Sequence, residues 1–90
     1  RIKIYDNYID TSARTSINEI NNIVGKTLFT DDIDEEINTI GGLVFVLAGR
    51  VPQRGELIKH PLGFEIEIKD ADSRRIKKVR LRIKVDKIDR

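Results

Sequence analysis

Apolar and charged residues alternate near both ends of the chain, a period typical of strands with one buried face. Residues 2–10 follow this pattern loosely and predict one or two short strands, interrupted near the Asp6-Asn7 pair. The segments ELIKH (56–60) and GFEIEIKD (63–70) predict two further strands. The buried face of the second of these would carry Phe64, Ile66 and Ile68.

The last predicted strand lies in the basic region that ends the chain. Its apolar residues are Val79, Leu81, Ile83 and Val85, each followed or preceded by a lysine or arginine. Ile76 is out of phase with this alternation, which predicts a β-bulge nearby because a bulge shifts the period by one residue.

Between these strands, a helical period replaces the alternation. In SINEINNIVG (16–25), the apolar residues Ile17, Ile20, Ile23 and Val24 share one helical face. Ser16 and Glu19 have the spacing of a capping box, and Gly25 is a typical helix end. The segment therefore predicts an amphipathic helix.

The stretch TIGGLVFVLAGRVPQRGE (39–56) predicts a second helix, which begins after Thr39 as its N-cap and ends at Gly49. Positions 40, 43, 44, 47 and 48 carry its apolar face. Its glycines and β-branched residues have low helix propensity, so we expect burial on most faces to stabilise it. Arg50 would lie at the negative end of this helix, and Pro52 would turn the chain into the sheet.

These elements predict an α+β domain in which two main helices pack on one face of an antiparallel sheet and charged residues cover the other face. Ninety residues fit one domain, which we place at 1–90. The chain has no cysteine, so it folds by apolar burial, as cytosolic domains commonly do. It contains neither an apolar run long enough to cross a membrane nor a signal peptide. We therefore expect a soluble chain without direct membrane insertion. Because it lacks an initiator methionine and begins inside a predicted strand, we also expect it to be a fragment of a longer protein.

Charge is distributed unevenly although the totals nearly balance. Seventeen basic and fifteen acidic residues leave a formal charge of +2, with acid gathered in DDIDEE (31–36) and base in RRIKKVRLRIK (74–84). The basic strand could line phosphates. However, a hairpin register would place Glu65 and Glu67 across from Arg82 and Arg80, and we expect no aromatic residues on that face. The sequence therefore predicts a charged solvent face and disfavours a nucleic-acid partner.

Few residues are suited to catalysis, since the chain holds a single histidine, His60. We interpret His60 as a partly exposed turn residue because the pattern indicates no partner for it. No catalytic residues are predicted.

Two clusters are weak candidates for ligand sites. Asp31, Asp32 and Asp34 could bind a divalent cation through oxygen, although their spacing matches no calcium loop and a solvated acidic connection explains them better. Gly41 and Gly42 could cradle the phosphate of a cofactor at a helix start, although close packing of the helix explains them better, since no phosphate-binding fingerprint is present.

The stretch 39–56, which contains the Gly41-Gly42 pair, is followed by GFEIEIKDADSRRIKKVRLRI (63–83). Together these segments resemble the transporter-associated domain at the C-terminus of CorC/HlyC-type proteins. Asn7 and Ile37 depart mildly from the family pattern, where a glycine and an aromatic residue are usual. The matching positions are Asn38, Thr39, Gly41, Gly42, Gly49, Arg50, Val51, Pro52, Gly55, Glu56, Phe64, Glu65, Arg74, Arg75 and Ile76. Among these, we expect structural roles for Thr39, Gly42, Gly49, Arg50, Pro52, Gly55, Phe64, Arg75 and Ile76.

The resemblance implies a non-enzymatic regulatory or interaction module of a hemolysin-like or magnesium and cobalt efflux membrane protein, which modulates ion transport at the cytoplasmic face of the membrane. Its implied partners are the CBS and transmembrane domains of the parent protein, or a second copy in a homodimer. The fold implied is like a subdomain of PCMH-type FAD-binding proteins. The alternative is a ligand-sensing domain that binds a nucleotide, FAD or a divalent cation. Fold alone does not decide between these functions.

Overall fold

The computed structural model describes residues 2–31, 33–34 and 36–83. Asp32, Val85 and the rest of 84–90 lie outside this part of the chain. The described elements, in chain order, are β1 (Lys3–Ile4), β2 (Tyr8–Ser12), α1 (Ile17–Val24), α2 (Ile40–Ala48), β3 (Leu57–Lys59), β4 (Glu65–Ala71) and β5 (Ile76–Arg82).

The strands form one five-stranded sheet in the order β1-β2-β5-β4-β3, and every neighbouring pair is antiparallel. The last strand in sequence therefore lies in the centre, between β2 and β4. The predicted α+β architecture with two main helices is confirmed, as is the interruption between the first two strands.

Registers across β4 and β5 agree with the prediction, because Glu65 lies opposite Arg82 and Glu67 lies opposite Arg80. The side chains of β5, however, do not form ion pairs with the glutamates directly opposite them on β4. Arg82 reaches diagonally to Glu67, with 2.9 Å from Nη2 to Oε1, whereas Arg80 binds Asp10 on β2 with two hydrogen bonds of 2.7 and 2.9 Å. Each arginine of β5 thus holds a neighbouring strand on the charged face.

The register between β4 and β5 shifts on both sides of Asp70, so that Ala71 pairs with Ile76 while Ile68 pairs with Val79. This irregularity confirms the bulge predicted from the phase of Ile76. Beyond it, the turn at 72–75 leads the chain back towards the start of α2.

The charged face also contains aromatic residues, which corrects the expectation that it had none. The Arg80 guanidinium lies 4.2 Å from the centre of the Tyr8 ring, and Tyr5 stacks on Tyr8 with ring centres 4.6 Å apart. Strand β2 is adjacent to β5 in space although some seventy residues separate them in sequence. The contact is therefore absent from any local pattern.

Both helices pack against the opposite face of the sheet. The buried core combines side chains from β2, β4 and β5 with those of the helices and their connections: Ile9, Ile17, Ile20, Leu28, Ile33, Ile40, Leu43, Val44, Phe64, Ile66, Ile68, Val79 and Leu81. Fully burying one such side chain stabilises the fold by about 1.5–3 kcal/mol.

Capping residues set the bounds of α1 as predicted. Ser16 Oγ accepts hydrogen bonds from the amides of Asn18 and Glu19, and Gly25 ends the helix. The helix buries Ile17 and Ile20. This is the serine half of the predicted capping box.

Helix α2 begins after Thr39 and ends at Gly49, where a φ of 74° favours glycine. The prediction that it is nearly buried is wrong. Phe45 and Val46 are 48% and 47% exposed, because the core covers the opposite face of the helix, formed by Ile40, Leu43 and Val44 with Leu47 partly buried beside them.

Candidate functional site

The glycine pair lies in the first turn of α2, where backbone donors are normally free to bind an anion. Here, the protein itself uses them. The amides of Ile40 and Gly41 donate to the carbonyl oxygens of Thr15 and Ala13, at 3.0 and 2.9 Å. Those of Gly42 and Leu43 donate to the hydroxyl and carbonyl oxygens of Thr39.

Gly41 also permits a close approach between α2 and the loop after β2. A Cβ built on Gly41 would lie 2.8 Å from Ala13 Cβ and 2.9 Å from the Ala13 carbonyl oxygen. On Gly42 it would lie 3.2 Å from side-chain atoms of Ile37 and Thr39. The absence of a side chain at position 41 thus allows the hydrogen bond from the Gly41 amide to the Ala13 carbonyl oxygen.

A groove of about 630 Å³ opens beside this junction. It is formed by residues 12–14 at the end of β2 and just after it, by Thr39, Gly41 and Gly42 at the start of α2, and by residues 74–77, which lead into β5, together with Phe45 and Val51. These segments are distant in sequence. The antiparallel pairing of β2 with β5 brings the first and third together, and the hydrogen bonds from the amides of Ile40 and Gly41 hold the start of α2 beside them. We call this feature the α2 groove.

Four cations line the α2 groove: Arg14, Arg74, Arg75 and Lys77. Lys77 forms an ion pair with Asp72, at 3.6 Å. No carboxylate among the described residues forms an ion pair with the three arginines. Their side chains are therefore available to an anionic partner.

Asp72 fixes the turn that carries two of these arginines. Its Oδ1 accepts hydrogen bonds from the amides of Arg74 and Arg75, at 2.8 and 2.9 Å, and these bonds hold the pKa of its carboxyl below the ordinary value. The turn is thus ordered at neutral pH, when the carboxylate is charged.

The segment after α2 positions Arg50, which we expected at the negative end of the helix. The Arg50 side chain binds Glu56 through two hydrogen bonds, of 2.9 and 2.7 Å, and Glu56 also accepts the amide of Gln53 at 2.6 Å. These contacts lower the pKa of Glu56 to about 2. Buried Pro52 and the turn at Gly55 complete a compact connection into β3.

His60 is buried, with 3% of its surface exposed, which corrects the prediction of a partly exposed turn residue. Its Nε2 lies 2.6 Å from the carbonyl oxygen of Leu28, and its Nδ1 accepts the amide of Leu62 at 3.0 Å. Phe64, a motif residue, packs against the ring edge-on. Burial lowers the pKa of His60.

The acidic candidates lie in the connection between the helices. Asp31, Asp34 and Glu36 are exposed, and Asp34 Oδ1 accepts the amide of Glu36 at 2.9 Å. Asp32 lies outside the described residues. Within 2–31, 33–34 and 36–83, no three metal-binding side chains come together, and no helix is long and apolar enough to cross a membrane.

Local patterns gave the acidic segment 31–36 and the basic strand 74–84 as candidate contact surfaces, but they did not bring Arg14 or the start of α2 together with Arg74 and Arg75. The motif indicated Gly41, Gly42, Arg74 and Arg75 separately, at positions about thirty residues apart. Only their joint occurrence in one family pattern could have suggested that they meet in space.

Comparison with known proteins places these features in context. The sequence profile of the CorC_HlyC family, described as the transporter associated domain, matches residues 2–85. The chain is 39% identical over 87 residues to a Rickettsia bellii protein named "Possible hemolysin C", covering 89% of this chain and 28% of that protein. It is 43% identical over 74 residues to the magnesium and cobalt efflux protein CorC of Salmonella typhimurium, covering 82% and 24%. The chain thus spans about a quarter of the length of these relatives.

Solved structures show the same fold. A CorC_HlyC transporter associated domain from Nitrosomonas europaea superposes with a TM-score of 0.75 at 25% identity, covering 92% of this chain and 95% of that one. A transporter associated domain from a CBS domain protein of Porphyromonas gingivalis gives 0.71 at 19% identity, covering 91% and 95%.

Proposed function

This chain belongs to the CorC_HlyC family of transporter associated domains, and we propose that it is a non-enzymatic regulatory and interaction module of a hemolysin-like or magnesium and cobalt efflux membrane protein. The family match over 2–85 agrees with the resemblance inferred from the motifs. Since the chain spans about a quarter of its relatives, it would act on the remainder of a longer polypeptide. Its partners would be the CBS and transmembrane domains, at the cytoplasmic face of the membrane.

The observation that carries this proposal is the α2 groove. It offers three arginines that form no ion pair with a described carboxylate and a half-exposed phenylalanine, and both residue types are enriched at protein interfaces. His60, the single histidine, is buried and bonded to backbone on both ring nitrogens, so its role is structural. A surface built for contact and a histidine used for packing together favour an interaction module over an enzyme.

The test is deletion of residues 2–85 from the parent polypeptide, followed by measurement of magnesium and cobalt efflux at matched protein levels. We expect transport to persist with an altered rate or ion dependence, because the module regulates the transporter and does not form its pathway. Unchanged efflux would contradict the proposal. An Arg54→Cys variant, compared with the parent polypeptide that lacks this substitution, would report the membrane side through the additional labelling by an impermeant maleimide.

A ligand-sensing role for a nucleotide or FAD is the second candidate, and the four cations beside Gly41 and Gly42 favour it. A ligand that binds the folded state raises the melting temperature as its concentration exceeds its dissociation constant. Thermal-shift titrations with ATP, FAD, magnesium, cobalt and calcium would test it. A saturable shift with one compound would establish sensing, and unchanged melting across the panel would exclude these ligands.

A further inference from the structure

We propose that the α2 groove binds an extended acidic peptide segment that carries one large apolar side chain. This inference rests on the proposed role as an interaction module and adds to it the contact face and the chemistry of the partner. The inference joins two properties of the groove: guanidinium groups that form no ion pair with a described carboxylate, and an exposed aromatic residue.

The charge of the groove selects an anionic partner. Arg14, Arg74 and Arg75 converge from two loops and have no ion pair with a described carboxylate, while Lys77 is already engaged by Asp72. Three guanidinium forks suit carboxylates, which they bind with two parallel hydrogen bonds. Three such groups spread over separate loops match several carboxylates along a chain better than a single one.

The apolar part of the groove supplies an anchor. Phe45 is 48% exposed, and it lines the groove together with half-buried Val51. An aromatic ring that remains this exposed on a helix gains burial only from a partner, and aromatic residues dominate the energetics of protein contacts. A partner that contacts both the arginines and the apolar residues of the groove is therefore acidic and carries a large apolar side chain.

The backbone argues for a peptide over a phosphate ligand. Phosphates bind helix starts through free amides, but the first four amides of α2 donate within the protein. Small-molecule sites also enclose most of their ligand. The α2 groove lies open between three chain segments, as a surface that accepts a peptide does.

The experiment is a titration of the ¹⁵N-labelled chain with the acetylated heptapeptide EEDFDEE, followed by NMR, which detects weak binding. We expect saturable shifts in the amides of 12–14, 41–45 and 74–77, and weaker binding at high salt because the contacts are ionic. Arg75→Glu should weaken binding at least about fivefold. Arg54→Glu is the matched control, since Arg54 is exposed and does not line the groove.

A second comparison isolates the apolar anchor. Phe45→Ala should weaken binding of EEDFDEE about fivefold or more and leave the weaker binding of EEDADEE nearly unchanged, because only the first peptide offers a ring to that site. Phe45→Ala and Arg75→Glu both replace exposed side chains, and dispersed NMR spectra of the two variants would confirm that they keep the native fold. Equal losses for the two peptides would overturn the anchor.

Absence of groove shifts with the peptide would overturn the proposal, as would equal effects of Arg75→Glu and Arg54→Glu. Stronger groove shifts with ATP, or binding to phosphatidylserine vesicles in place of the peptide, would also overturn it. So would concentration-dependent groove shifts without peptide, which would identify a second copy as the occupant. If the peptide fails to bind while deletion of 2–85 still alters efflux, the module acts through another face and the proposed function survives.

Discussion

At the scale of single residues, His60 joins two loops that lie far apart in sequence. Because the amide of Leu62 donates to Nδ1, the proton of the neutral ring lies on Nε2 and is donated to the carbonyl oxygen of Leu28. Protonation of Nδ1 would place two donors against each other in a buried position. Burial, which disfavours the charged ring, lowers the pKa of His60 in the folded state.

The first prediction concerns how the stability of the fold depends on pH below neutral pH. An unfolded histidine has a pKa of about 6.5, and the folded value is lower, so the unfolded state binds more protons in this range. Stability is therefore full above about pH 6.5 and falls as the pH drops towards the folded pKa. Urea unfolding of the wild type should show this fall, while His60→Gln, which keeps a donor for Leu28, should show a flat profile. Parallel profiles would assign the fall to another group.

The burial of His60 could not be predicted from its own neighbourhood. The His60-Pro61 pair predicts a turn correctly, but the ring is covered by the segment around Leu28, thirty-two positions earlier. A local pattern shows that a polar residue lies in a turn, whereas its exposure depends on which distant loop packs over it.

At the scale of elements, α2 combines features that the sequence shows and one that it hides. Thr39, Gly49 and the apolar spacing predicted its bounds, because caps and periodicity are local signals. The exposure of Phe45 and Val46 was missed, since a helix that is apolar on all sides gives no local indication of its uncovered face. That uncovered face borders the α2 groove.

The second prediction compares two neighbouring glycines in this helix. A Cβ at Gly41 would collide with backbone and Cβ atoms of Ala13, and such overpacking costs about 1–3 kcal/mol, against about 1 kcal/mol gained in helix propensity. Gly41→Ala should therefore lower the free energy of unfolding by up to about 2 kcal/mol. Gly42→Ala meets side chains that can shift, and should stay within about 0.5 kcal/mol of wild type. Denaturant unfolding of both variants is the measurement, and equal stability would refute the close packing at Gly41.

The α2 groove shows the limit of reasoning from separate elements. Its arginines come from the loop after β2 and from the β4–β5 turn, and they meet only because β5 pairs with β2. The sequence predicted the β4–β5 hairpin and even its register, since hairpin pairing is local. The long-range pairing between β2 and β5 has no comparable signal in a single sequence, so the site it builds stayed hidden.

At the scale of the whole molecule, ion pairs connect the sheet on its charged face and brace the connection after α2. Arg80 holds Asp10 across β5 and β2, while Arg82 holds Glu67 across β5 and β4. The partner arginine, through its side-chain hydrogen bond, is the main cause that lowers the carboxyl pKa in both pairs. Glu56 adds a third such carboxylate through Arg50.

The last prediction is that the free energy of unfolding falls a second time at lower pH, separately from the fall caused by His60. We call these the lower phase and the His60 phase. The pKa values of these carboxylates are lower in the folded state than the unfolded values of about 4 to 4.5. The carboxylates therefore stabilise the fold above about pH 4.5. They lose this contribution as the pH falls towards about 2, the pKa of Glu56. Added salt should flatten this lower phase, because the pairs are partly exposed, and leave the His60 phase, which arises from burial. Asp10→Asn should reduce the lower phase alone. Urea midpoints measured across both ranges in low and high salt would separate the two causes, and a single phase with one salt response would contradict them.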